Sequence, residues 1–146
     1  MNRNSLSLLL IFFVFGFGIF YGGKILSKMF ATPEFINPKM DLIQIFEPKP
    51  YSGITSPIKI SGQARGYWFF EASFPAKIID ENDVILGQGI ARAKTDWMVQ
   101  DFVSFELEID FIKSSTETGY IVFEKDNPSG LPENADDLKW PIKFIP

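Results

Sequence analysis

A strict two-residue alternation in residues 103–111 constrains the fold of this chain more than any other feature. Five apolar side chains alternate there with Ser104, Glu106, Glu108 and Asp110. Successive side chains of a strand point to opposite faces, so this period predicts a β-strand with one buried face and one solvated face. A helix built from the same residues would spread its acids around the whole circumference.

Six further segments have the composition of short strands, and turn-forming residues separate them. They are residues 42–46, 57–64, 68–79, 84–93, 119–124 and 138–145. Because no crossover helix of useful length lies between them, a parallel sheet is disfavoured. We therefore predict an all-β domain over residues 42–146, an immunoglobulin-like antiparallel β-sandwich of about seven strands, with a small barrel as the alternative. Pro75 and Pro141 predict an edge position or a bulge in their strands.

An uncharged apolar stretch occupies residues 6–23. It holds 18 residues without a charged side chain, and a helix of that length covers about 27 Å, close to the thickness of the hydrocarbon core. We predict one transmembrane helix acting as a signal anchor, with a cytoplasmic tail at residues 1–5 and a proline-containing linker at 24–41. A cleaved signal peptide is the closer alternative, but no A-x-A pattern follows the stretch. The predicted location is the cell membrane, single-pass, with the domain on the extracytoplasmic side.

The composition excludes several kinds of chemistry. The chain has no His and no Cys, which removes Ser-His and Cys-His nucleophiles and the usual ligands of zinc, haem and iron–sulfur clusters. Three of the 14 basic side chains lie in residues 1–28, which hold no acid, so the other 11 and all 18 acids give residues 29–146 a net charge of −7. Such a domain repels nucleic acid. The acidic segment 80–83 lacks the spacing of a calcium loop and is predicted to be a solvated turn. We predict no metal and no cofactor.

Several motifs in the β-rich part resemble one known family. Residues 56–65 read SPIKISGQAR, residues 68–72 read WFFEA, Trp97-Met98 precedes Phe102, residues 126–132 read DNPSGLP, and PIKF stands at 141–144. This ordered set resembles the immunoglobulin-like domain of bacterial spore germination proteins over nearly the whole predicted domain. The resemblance implies an immunoglobulin-like fold in an exported or membrane-tethered protein. It implies no catalytic residue.

The candidate ligand or partner surface is a set of aromatic residues with nearby polar groups. Its members are Arg65, Tyr67, Trp68, Glu71, Asp96 and Trp97. Aromatic faces bind sugars or peptide stems by stacking when hydrogen-bonding groups lie beside them. The competing interpretation places alternate aromatic residues in the core. Residues 67–70 are four consecutive aromatics, however, and in a strand they cannot all point inward.

Three functions remain open at this level. The first is a non-catalytic interaction module tethered to the membrane, with an envelope protein or a cell-wall polymer as partner. The second is a structural accessory subunit of a membrane complex, in which Gly16, Gly18 and the pair at 22–23 allow close helix contact. The third is a glycan hydrolase using two of Glu106, Glu108 and Asp110, which would require two acids facing each other across a cleft.

Overall fold

The computed structural model describes residues 34–146, and all regular sheet structure in this range is antiparallel apart from one short parallel pair. The predicted transmembrane helix at 6–23 and the tail at 1–5 lie outside the described residues. Between residues 34 and 146 there is no helix of the length and apolarity needed to cross a membrane. Residues 36–146 form one compact unit.

The described residues contain eight strands and two single-turn 3₁₀ helices. The strands are β1 (Ile43–Glu47), β2 (Gly53–Ile54), β3 (Ile58–Arg65), β4 (Ser73–Asp80), β5 (Ile85–Ala93), β6 (Phe102–Ile109), β7 (Thr118–Glu124) and β8 (Asp137–Phe144), and the 3₁₀ helices span Gly66–Trp68 and Pro132–Asn134. The seven predicted strands are all present. The eighth is β2, whose two residues are too few to show any periodicity in the sequence.

Hydrogen bonds join all eight strands in the order β1-β3-β6-β5-β4-β7-β8-β2. The sheet is therefore continuous from β1 to β2. The join between β5 and β6 consists of two residue pairs, Arg92 with Glu106 and Ala93 with Phe105. The sheet curls back on itself. The evidence is the contact between Phe105 on β6 and Phe123 on β7, whose ring centroids are 6.1 Å apart although two strands separate them in the order. The curled sheet is consistent with an immunoglobulin-like fold.

Aromatic rings fill the core between the two halves of the sheet. Phe105 also packs edge-on against Phe74, with ring centroids 4.9 Å apart. The predicted alternation on β6 is confirmed: its apolar side chains at 103, 105, 107 and 109 are buried, while Ser104, Glu106 and Glu108 are exposed. The chain has no cysteine and so no disulfide, and these rings fill the core in its place.

The predicted strand at 68–79 begins later than expected, at Ser73. Before it, the chain makes a 3₁₀ turn and then a tight turn closed by two hydrogen bonds, from the Phe70 N–H to the Ser73 carbonyl at 2.9 Å and from the Ser73 N–H to the Phe70 carbonyl at 3.0 Å. The edge position predicted from Pro75 is also wrong, since β4 lies between β5 and β7. Pairing with β7 starts only at Ala76, so the missing N–H of Pro75 costs no bond to that strand.

The register places the start of β1 at the same end of the sheet as the end of β3 and the start of β6. Ile43 is paired with Ala64, and Arg65 with Phe102. We call this the proximal end, and the opposite end, where β8 finishes at Phe144, the distal end. The preceding chain is fastened here, because the Asn37 side-chain amide donates a 2.7 Å hydrogen bond to the Ile43 carbonyl.

Candidate interaction surface

Two connections meet at the proximal end, residues 66–72 between β3 and β4 and residues 94–101 between β5 and β6. Gly66 holds them together, since its N–H donates to the Asp101 carbonyl at 3.1 Å. A β-carbon on Gly66 would lie 1.8 Å from the Val99 carbonyl oxygen and 2.3 Å from that of Trp97. Only glycine allows this approach, because both atoms belong to the backbone and neither can rotate away. The two connections therefore form one fixed platform.

Large apolar side chains on this platform face the solvent. Tyr67 is 52% exposed, Phe70 41%, Met98 75% and Val99 39%. Trp97 is half-buried and packs edge-on against Phe70, with ring centroids 6.3 Å apart. We call these five residues the aromatic loop surface. A contiguous set of exposed apolar side chains on fixed loops is typical of an interaction site.

The predicted residue Arg65 lies beside this surface and is held by the fold. Its guanidinium stacks on the Phe102 ring, 4.1 Å from the ring centroid, and its Nε donates to the Asp41 carbonyl at 3.0 Å. Arg65 thus ties the segment before β1 to the start of β6. Its role in this arrangement is to fix the edge of the platform.

Asp96 and Glu71 occupy turns at the border of the surface. The Asp96 carboxylate accepts a 2.9 Å hydrogen bond from the Met98 N–H, which shapes the turn that presents Trp97 and Met98. Glu71 and Ala72 have φ of 48° and 61° at the two central positions of the tight turn. A two-residue turn with positive φ at both central positions normally contains Asn-Gly. Other residues that adopt the left-handed conformation lose about 1–2 kcal/mol each. Strain is thus stored next to Phe70.

Trp68 does not belong to the surface, and its prediction as a surface residue is wrong. Its side chain is completely buried, and that of Phe69 is only 3% exposed. The 3₁₀ turn at Gly66–Trp68 rotates two adjacent aromatics inward, which the two-residue period of a strand would not do. Among the residues that the structure describes, the buried Trp68 indole N–H has no hydrogen-bond partner. The expectation that residues 67–70 cannot all point inward is confirmed by Tyr67 and Phe70.

The comparison with protein families settles the relationship of the chain. Residues 42–130 match the model of the family described as the immunoglobulin-like domain of bacterial spore germination. The chain belongs to this family. The match contains the whole aromatic loop surface and ends before β8. A search of curated proteins and a search of solved structures found no match.

The acids considered for hydrolysis lie on the outer face of this immunoglobulin-like domain. Glu106, Glu108 and Asp110 are exposed. Lys94 forms an ion pair with Glu106, and the Lys59 Nζ lies 3.8 Å from a Glu108 oxygen. The three acids follow one another along one strand and its end, so they do not face each other across a cleft as hydrolysis requires.

The acidic turn after β4 is organised by Asp80. The buried Asp80 carboxylate accepts hydrogen bonds from the Val84 N–H at 2.9 Å and the Asn82 N–H at 2.8 Å, and from the Ser115 hydroxyl at 3.3 Å. The bond from Val84 is the main cause that lowers the pKa of Asp80, and burial opposes it. Between residues 34 and 146, no three His, Cys, Asp or Glu residues are grouped so that they could hold a metal ion.

A concave region lies at the distal end of the immunoglobulin-like domain. Its walls include Thr55, Ser56, Phe111 and Phe144, and the two phenyl rings lie 5.9 Å apart. The hydroxyl groups there bond within the protein, since the Ser56 hydroxyl accepts from the Phe111 N–H at 2.9 Å and the Thr116 hydroxyl donates to the Thr118 carbonyl at 2.8 Å. These hydroxyl groups stabilise the distal loops. Because they already bond within the protein, the aromatic loop surface is the better candidate site.

Proposed function

We propose that this chain is a membrane-tethered, extracytoplasmic and non-catalytic module that binds a protein or a polymer of the cell envelope through the aromatic loop surface. The observation that carries the proposal is the exposure of Tyr67, Phe70, Met98 and Val99 on loops that Gly66 holds together. Large apolar side chains kept in water on a fixed platform gain free energy when a partner covers them.

The composition of the surface supports a binding role. Tyrosine, tryptophan, phenylalanine and methionine are enriched at interfaces, and all four occur among its five members. Rigid loops lose little conformational entropy when they bind, so more of the contact energy remains as affinity. Removing one such anchor from the centre of an interface commonly costs about 2 kcal/mol or more.

The tether in this proposal is the apolar stretch at residues 6–23. It is long enough to span a bilayer and contains no charged side chain. Membership of a family described by its immunoglobulin-like fold agrees with a domain that acts by binding. The proposal assigns the described domain to the outer side of the cytoplasmic membrane.

Site-specific photo-crosslinking in intact cells tests the proposal. The photoreactive residue p-benzoylphenylalanine replaces Tyr67 in one full-length variant and Tyr120 in a matched control. Tyr120 is also a partly exposed tyrosine, 38% accessible, but it lies on β7 away from the loops. We expect a discrete adduct from position 67 and none from position 120. Absence of an adduct at 67, or equal adducts at both positions, would contradict the proposed function.

A further inference from the structure

We infer that the partner is a protein whose contact surface is apolar at its centre and basic at its rim. This inference rests on the proposed function and narrows it to one class of partner. It follows from the charges around the aromatic loop surface and from the residues that line it.

The rim of the surface is acidic. Four exposed acids lie in or beside the loops that carry it: Asp41, Glu71, Asp96 and Asp101. Glu71 follows Phe70 in the chain, and Asp96 precedes Trp97. The Asp101 carbonyl accepts a hydrogen bond from the Gly66 N–H. The Asp41 carbonyl accepts one from the Arg65 Nε. Of the bases nearest these loops, Lys94 pairs with Glu106, Arg65 stacks on Phe102 and Arg92 lies opposite Ser73, so the four acids outnumber these three bases. A surface of this kind is complementary to apolar residues flanked by Lys or Arg.

The same rim disfavours a lipid surface as the occupant. A basic residue near an anionic bilayer gains about 1 kcal/mol, so each unpaired acid loses a similar amount. Four acids would therefore offset the gain from inserting one or two aromatic rings. A sugar polymer is a weaker fit than a protein, because Tyr67, Trp97, Met98 and Val99 wall the depression beside Gly66 and Gln100 is its one polar side chain. A glycan needs several polar groups inside such a site to fix its orientation.

Removal of the rim charge in the crosslinking variant tests the inference. Glu71→Gln, Asp96→Asn and Asp101→Asn are combined in the full-length chain carrying the photoreactive residue at 67. Asp96→Asn keeps the oxygen that accepts the Met98 N–H. The matched control combines Glu108→Gln, Asp110→Asn and Glu117→Gln, three exposed acids outside the proximal loops. We expect the adduct yield to fall about tenfold in the rim variant, as for loss of electrostatic steering, and to stay unchanged in the control.

The identity of the adduct provides the second readout. Mass spectrometry of the adduct should give a peptide with Lys or Arg beside the crosslinked residue. A glycan adduct, or a protein adduct whose yield ignores the rim charges, would overturn the inference while leaving the proposed function intact. A lipid adduct would contradict both the inference and the proposed function. Loss of the adduct at position 67 itself would instead remove the proposed function.

A fluorescence measurement on the purified full-length chain in nanodiscs examines the lipid alternative directly. Trp68 and Trp140 are buried, at 0% and 6% exposure, so brominated phosphatidylcholine can report only on Trp97 among the tryptophans. We expect no quenching in the absence of a partner. Quenching of Trp97 would show that the surface lies on lipid and would overturn the inference.

Discussion

At the scale of single residues, Asp80 shows how one carboxylate organises a turn and links it to pH. The pKa of Asp80 is lowered mainly by the Val84 N–H, so the folded state favours the charged form more than the unfolded state does. The stabilisation is therefore complete above the unfolded pKa of about 4 and is lost as the pH falls through the lower folded pKa. We expect Asp80→Asn to flatten the acid side of the stability profile.

Urea unfolding of the wild type and of Asp80→Asn between about pH 7 and pH 2 measures this effect. Ser115→Ala removes only the hydroxyl donor at 3.3 Å and should reduce the acid dependence by a smaller amount. Parallel profiles for Asp80→Asn and the wild type would mean that the hydrogen bonds of this carboxylate do not stabilise the charged form.

The residue scale also shows where sequence patterns mislead. Trp68 and Trp97 look equally suitable for a surface in the sequence, yet Trp68 is buried and Trp97 is half-buried beside exposed neighbours. The difference arises from the 3₁₀ turn at Gly66–Trp68 and the tight turn through Glu71 and Ala72, where φ is positive without any glycine. Glycine or asparagine would have marked that turn in the sequence, and neither is present.

At the scale of secondary-structure elements, β6 has the clearest pattern and carries the centre of the core. Phe105 contacts Phe74 and Phe123, with ring centroids 4.9 and 6.1 Å away. Phe105→Ala should lower the free energy of unfolding by about 3–5 kcal/mol, since it removes buried area and leaves a cavity. The free energy of unfolding of a small domain is only about 5–15 kcal/mol, so this variant should lose a large part of its stability.

The preceding residue offers a matched control for this prediction. Ser104 is exposed on the opposite face of β6, so Ser104→Ala should change stability by less than about 0.5 kcal/mol. Chemical denaturation of both variants measures the difference. Equal losses would mean that β6 does not bury one face and solvate the other.

Strands with several residues on each face were predictable from the sequence. Very short strands, and contacts between segments far apart in the sequence, were not. The alternation on β6 predicted its burial correctly because each side chain of a strand has only two faces available. β2 escaped notice because Gly53 and Ile54 cannot show a period. The meeting of residues 66–72 with 94–101 depends on strand register, and residues nearly thirty positions apart give no local signal of it. Met98 and Val99 were therefore missed as members of the surface.

At the scale of the whole molecule, the described domain contains a complete core of its own. The buried apolar residues run from Ile43 to Ile142, all within the compact unit of residues 36–146. We expect residues 34–146, expressed without the preceding chain, to fold with a β-rich circular dichroism spectrum and one cooperative unfolding transition.

The full-length chain in detergent is the reference for this truncation. Its thermal midpoint should agree with that of residues 34–146 within a few degrees, because the truncation keeps every buried residue of the described domain. A truncated chain with no cooperative transition would show that the preceding residues are needed for folding.

The opposite placement of Ile43 and Phe144 also has a practical consequence for labelling. β8 starts at the proximal end with Asp137 and finishes at the distal end with Phe144, so its eight residues separate the two ends by about 26 Å. A fluorophore or affinity handle joined after Pro146 is therefore held away from Tyr67 and Met98 by the length of the sheet. Such a handle allows the domain to be immobilised with its loops turned toward the solution.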